Sequence, residues 1–199
     1  ALVASALCVG YLVPMTQHEP LPFAGNARAF TLGVEMELQV LDATTLRLTP
    51  QAPLLLERMA DPHLAKEMYQ STIELITGIC TDAVDACEDL GRTFGRLVSS
   101  ARSMGLTFSG TGTNPVADYN ERVVSPVPRY HDLLDKNQWM IRRMAVYGLH
   151  IHIGMPSGDA CIRFLNQFMH AVPHLIALSA SSPFWRGTDT GMAACRPTV

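Results

Sequence analysis

No stretch of this chain concentrates positive charge. Its 15 lysines and arginines are spread among 18 acidic residues, giving a formal net charge of −3, so the electrostatic footprint of a nucleic-acid partner is missing. Cysteines are few and badly placed for cross-linking. The five (Cys8, Cys80, Cys87, Cys161, Cys195) are odd in number, widely spaced and contain no Cys-x-x-Cys. That argues against a zinc knuckle and a disulfide framework, and it fits a reducing, cytoplasmic compartment. The opening run ALVASALCVGYLVP is apolar but shorter than the about 20 residues a membrane helix needs. It also lacks the basic start of a signal peptide, so no membrane partner is expected. Met15 then opens a polar, proline-containing lead, and residues 1–29 are read as an extension or lead outside the fold.

What the chain does have is material for one domain with a core, at 48% hydrophobic residues. Two segments alternate apolar residues with potential ligands. In Thr31–Leu38 a strand puts Leu32, Val34, Met36 and Leu38 on one face and Glu35 and Glu37 on the other. In Tyr147–Gly154 the alternation sets Tyr147, Leu149, Ile151 and Ile153 against His150 and His152, with glycines on either side. A sheet face carrying carboxylates and imidazoles is suited to hold cations. An isolated Glu-x-Glu pair is also what the solvent face of a half-exposed strand looks like.

Between these segments the pattern predicts a turn at Asp42–Thr45, a short helix over 53–60 and a strand over 67–80. An amphipathic helix follows over 82–104, then a strand at 106–108 and a Gly/Asn-Pro loop at 109–115. That loop has no Gly-Lys-Ser/Thr ending, so it is not a P-loop. Helices are expected at about 130–145 and 158–181. The apolar residues Phe164, Leu165, Phe168, Val172, Leu175 and Ile176 of the last helix are read as core. The order gives an α+β domain with helices on the apolar sheet face and the polar face open to substrates. Glu67 and Glu74 are the next carboxylates; their odd separation puts them on opposite faces of a regular strand, so both reach one site only through a bend or from a preceding loop. His170 and His174 are spaced i, i+4, but no glutamate adjoins His170, so the zincin pattern fails.

The run Leu178–Trp185, continuing through Arg186–Gly191, resembles a signature of the type 2 glutamate-cysteine ligase family, also called carboxylate-amine ligases. Gly33–Glu37, Ile73–Thr77, Gly110–Pro115 and Gly148–Gly154 agree in order. The likeness implies an antiparallel sheet funnel with flanking helices, similar to the glutamine synthetase catalytic domain, with residues 30–199 forming the N-terminal part of one catalytic domain. It implies a reaction in which a carboxylate takes the γ-phosphate of ATP, giving an acyl phosphate that an amine displaces, with Mg²⁺ or Mn²⁺ as the metal. Carried over by motif, Glu35, Glu37, Glu67, Glu74 and His150 are metal ligands, and His152 and Arg196 lie toward nucleotide or substrate. The implied partners are small-molecule acids and amines, and a homo-oligomer is compatible with the pattern. Members of the family are nearly twice this long, so the remaining length is expected to add strands to the funnel, and the chain alone is expected to be inactive with exposed strand edges.

Two other readings use the same residues. A His-x-His hydrolase of the cupin kind needs a glutamate soon after the second histidine, where Gly154–Gly158 stands instead. A relative that binds nucleotide without turnover keeps the carboxylates and histidines but forms no product.

Overall fold

The computed structural model describes residues 30–198, so the lead expected over residues 1–29 lies outside the described residues. Strand β1 (Leu32–Asp42) is long enough to take partners along both edges. On one edge it pairs with β3 (Thr72–Ile76), which in turn carries β2 (Leu64–Lys66). The other edge is shared end to end. β5 (Leu149–Ile153) pairs with residues 32–36 of β1, and β4 (Leu106–Ser109) pairs with residues 39–42. Every pairing is antiparallel, as expected for the sheet of this α+β domain.

The alternation read in β1 sorts its side chains as expected. Leu38 and Val40 join Ile73 and Leu75 of β3 in a core closed by Leu55 of α1 (Ala52–Met59) and Leu97 and Ala101 of α2 (Ala83–Arg102). Helix α2 starts where Asp82 accepts from the Asp85 N–H at 2.9 Å, satisfying a donor the helix end leaves free. At the far end of β1, Asp42 accepts from the amides of Thr44 and Thr45, and the chain returns to bridge Leu48 to Leu41. This is the turn that the Asp-Ala-Thr-Thr run predicts.

Four expectations need correction. The strand expected over 67–80 is confined to Thr72–Ile76, because Tyr69–Thr72 forms a tight turn in which the Thr72 N–H donates to the Tyr69 carbonyl. The single helix expected over 158–181 is two, α4 (Gly158–Phe168) and α5 (Val172–Leu178), separated by a 3₁₀ turn. Pro173 sits at the start of α5, where its missing N–H is tolerated but cannot extend α4. His170 and His174 therefore do not share one regular helix. Finally, helices do not cover the whole apolar face: α1 and α2 pack over β1–β4, whereas Leu149 and Ile151 of β5 are 56% and 61% exposed. No residue of α4 or α5 is buried, so the six apolar residues there are not core.

Helix α3 (Pro128–Arg143) breaks at Gln138, whose φ of 48° is left-handed. Near the C-terminus, β6 (Phe184–Trp185) and β7 (Thr188–Asp189) form a hairpin. Its two-residue turn, Arg186–Gly187, has both φ positive, which suits the twist of such hairpins. Among the described residues no helix is long and apolar enough to cross a membrane, and Cys80, Cys87, Cys161 and Cys195 are free thiols.

Candidate functional site

Strand register assembles the site. Glu37 of β1 lies directly opposite Glu74 of β3, and Glu35 lies opposite His150 of β5. Period-2 alternation then puts Glu35, Glu37, Glu74, His150 and His152 on one face. Glu67 follows the end of β2 in the turn that leads to β3, with its Oε2 accepting from the Met68 N–H at 2.9 Å and its carbonyl from the Ser125 hydroxyl at 2.6 Å. The preceding-loop alternative for the odd 67/74 spacing is thus the one that the chain adopts. Two ligand sets result: Glu35, Glu74 and His150, and Glu37, Glu67 and Glu74, each with one ligand atom per residue lying within 4.8 Å of the others.

The electrostatics of these carboxylates differ. Burial pushes Glu74 upward and the charges of Glu67, Glu35 and Glu37 push it further, to about 7. Burial also raises Glu37, with the Gly148 N–H opposing at 2.7 Å and the Glu67 charge adding to the rise. Glu35 is penalised by burial too, but hydrogen bonds from His152 and His150 outweigh this and hold its carboxyl below the usual range. His150 Nδ1 and His152 Nε2 each lie 3.2 Å from the same Glu35 oxygen. Like charges set opposite one another across a strand pair destabilise a sheet. A divalent cation would remove that cost, and a set of carboxylates with one imidazole suits an ion such as Mg²⁺ or Mn²⁺.

Arg196 reaches the same face from the C-terminal loop. Its N–H donates to Ser182 Oγ at 3.2 Å and its Nε to the Tyr147 carbonyl at 3.0 Å, while its guanidinium feels the Glu37 charge. Ser181 and Ser182 of the signature run pack against Gly112, and Gly112 N donates to Ser181 Oγ. The signature and the Gly110–Pro115 loop therefore act together to seat Arg196.

Sequence reasoning missed two residues. Gln39, fully buried two positions beyond Glu37, donates to the carbonyl and hydroxyl of Thr111 at 3.0 Å and accepts from Asn114 Nδ2 at 2.9 Å. It clamps the loop to the polar face, yet nothing marks a strand glutamine as special before its partner is known. Tyr147 was placed on the apolar face. It is instead 5% exposed among Arg122, Thr72, Glu37 and Tyr69, because β5 does not begin until Leu149 and the strand alternation does not extend back to it.

The comparisons agree with one another. Residues 31–199 match Glutamate-cysteine ligase family 2 (GCS2). The chain is 42% identical over 187 residues to "Putative glutamate--cysteine ligase 2" of Bdellovibrio bacteriovorus, covering 93% of this chain and 49% of that protein. It is 45% identical over 185 residues to the protein of the same name from Gloeobacter violaceus, covering 90% and 49%. It thus spans about half the length of these relatives. A bifunctional glutathione synthetase from Pasteurella multocida superposes on 70% of this chain and 18% of its own, with a TM-score of 0.50 at 18% identity, a likeness of fold alone. With its family landmarks spread across the matched residues and relatives above 40% identity, the chain belongs to glutamate-cysteine ligase family 2.

Proposed function

We propose that the protein carrying this chain is an ATP-dependent carboxylate-amine ligase of the glutamate-cysteine type, with residues 30–199 as the N-terminal part of its catalytic domain. The observation that carries the reading is the convergence of Glu35, Glu37, Glu67, Glu74 and His150 on one sheet face in a member of this family. In this reading these five hold Mg²⁺ or Mn²⁺, and His152 and Arg196 face the nucleotide phosphates or the acid substrate. The cation, when bound, neutralises phosphate oxygens and draws charge from the phosphorus being transferred.

A carboxylate oxygen of the acid bonds to the γ-phosphorus as the bond to the bridging oxygen breaks, releasing ADP. The amine nitrogen then bonds to the acyl carbon, the carbon–oxygen bond to phosphate breaks, and the nitrogen loses a proton. The chain's own contribution is positioning. Glu35 orients both imidazoles, the Gly148 N–H fixes Glu37, and Arg196 supplies a fixed positive charge beside it. The names of the relatives support glutamate and cysteine as acid and amine, and the cysteine pattern supports a cytoplasmic setting. Because the relatives are about twice as long, the chain alone is expected to be inactive.

The test is ADP release by the complete open reading frame that contains this chain, with Mg²⁺, ATP and glutamate, with and without cysteine, beside Glu37→Gln. ADP that needs both amino acids and is lost in the variant supports the reading. No ADP with any acid and amine pair, despite nucleotide binding, points to a binding-only relative.

A further inference from the structure

The carboxylate cluster has two ends. β5, with His150 and His152, flanks β1 on one edge, and β3 with the turn that carries Glu67 flanks it on the other. Arg196 serves the first end through the Tyr147 carbonyl. The second end meets the start of α3. Ser125 ties the segment before that helix to the Glu67 turn, its hydroxyl donating to the Glu67 carbonyl at 2.6 Å and its N–H to the Met68 carbonyl at 2.8 Å. Three residues on, α3 opens with Pro128, Arg129 and Tyr130. Tyr130 is 6% exposed, and its hydroxyl lies 3.5 Å from the Lys66 carbonyl, one residue before Glu67. The Arg129 guanidinium carbon stands 5.2 Å from the centre of the Tyr130 ring. Burial pushes the Tyr130 hydroxyl above the usual phenol value and the Glu67 charge adds to the rise, while a hydrogen bond from the Arg129 side chain opposes it. One hydroxyl thus meets both the carboxylates and Arg129. Arg129 itself is exposed, makes no ion pair among the described residues, and shares the first turn of α3 with no acidic residue.

In phosphoryl transfer the attacking and leaving oxygens lie roughly in line on opposite sides of the phosphorus. With the nucleotide phosphates toward His152 and Arg196, the acid arrives from the Glu67 end. An acid with a second negative charge is repelled by the glutamates there unless a cation meets that charge. We infer that Arg129 binds the non-reacting carboxylate of the acid substrate and so sets a preference for acids that carry two carboxylates. The inference rests on the ligase reading, which supplies the place of the nucleotide. A guanidinium offers five N–H groups in a planar fork that takes both oxygens of a carboxylate, and one N–H given to Tyr130 leaves that fork available. Tyr130, anchored in the fold, holds the guanidinium from behind.

The test uses the complete open reading frame that contains this chain, with Mg²⁺ and a non-hydrolysable ATP analogue. Calorimetry measures binding of glutamate and of 4-aminobutyrate, which keeps the reacting carboxylate and the amino group but lacks the second carboxylate. Wild type is expected to bind glutamate more tightly. Arg129→Ala should weaken glutamate at least about tenfold, the scale of a lost charge-assisted hydrogen bond, and leave 4-aminobutyrate and the ATP analogue as in wild type. Arg129→Lys should recover part of the loss, because a lysine keeps the charge without the fork. In turnover, KM for glutamate should rise with KM for ATP and Tm unchanged, a split that a merely structural role would not produce. No glutamate binding by wild type, equal glutamate binding in Arg129→Ala, or equal losses for glutamate and the ATP analogue each overturns the assignment. Wild type that releases no ADP with any acid and amine removes the ligase reading; the calorimetry then still decides on Arg129, since a loss confined to glutamate upholds it and any other pattern ends it.

Discussion

Gly148 leaves no space for a side chain. A β-carbon there would stand 2.9 Å from His150 Nε2 and 3.2 Å from Arg196 Nη2, while its N–H holds Glu37. Gly148→Ala must therefore push the imidazole and guanidinium away from the carboxylates. Groups that orient metal ligands are worth about 10–100-fold in metal affinity, and a loss of that size for Mn²⁺, read by calorimetry, is expected with little change in Tm. Unchanged affinity would remove His150 from the ligand set. Glu74 gives a second prediction, about pH. The unfolded chain releases this proton at an ordinary carboxylate value, whereas the folded chain holds it until about 7. The folded state thus binds more protons in between, so metal-free stability falls as pH rises across that window and levels off above it. Melting temperatures in chelator from pH 5 to 8 should show this slope, and Glu74→Gln should flatten it. A slope that persists in the variant assigns the effect to another group.

At the scale of elements, legibility followed periodicity. β1 and β5 announce themselves because two-residue alternation is written into Leu32–Leu38 and Leu149–Ile153, and α2 because its apolar residues recur at helical spacing. The turn at Tyr69–Thr72 was not legible. Its β-branched and aromatic composition reads as strand, and the hydrogen bond from the Thr72 N–H to the Tyr69 carbonyl decides otherwise. The break between α4 and α5 carried a signal in Pro173. The loop at Gly110–Pro115 was legible as a loop, but its anchor was not, since Gln39 acts through partners more than 70 positions away. Gln39→Leu keeps the size of the side chain but orphans Asn114 Nδ2 and the Thr111 carbonyl. Each buried polar group left unpaired costs about 1–3 kcal/mol, so a loss of about 2–4 kcal/mol by denaturant melting is expected. Faster proteolysis within 110–118 than elsewhere should accompany it; uniform sensitivity would show that the amide does not anchor the loop.

Across the whole molecule, packing is lopsided. The core gathers where α1 and α2 cover β1–β4, and Leu55, Ile73, Leu75 and Leu97 are sealed from solvent there. Among the described residues, nothing covers the same sheet face toward β5, and α4 and α5 add Ile162, Leu165 and Ile176 to the exposed apolar surface. Among the described residues β5 pairs with β1 alone of the named strands, which leaves its other edge without a strand partner there. Contiguous apolar surface beside an open strand edge drives association with whatever is available. With this chain alone in solution, that is a second copy. The chain should therefore sediment above monomer mass at micromolar concentration, and hydrogen exchange should be slow in β1, β3 and α2 and fast in α4 and α5. Leu149→Lys with Ile151→Lys puts two charges on the bare face without touching the core or the His150 side of the strand. This variant should return the chain to monomer in sedimentation equilibrium while its melting temperature stays within a few degrees of wild type. If the mass is unchanged, association runs through the open backbone edge instead, and Pro substituted at an outward-facing β5 amide is then the variant that should abolish it.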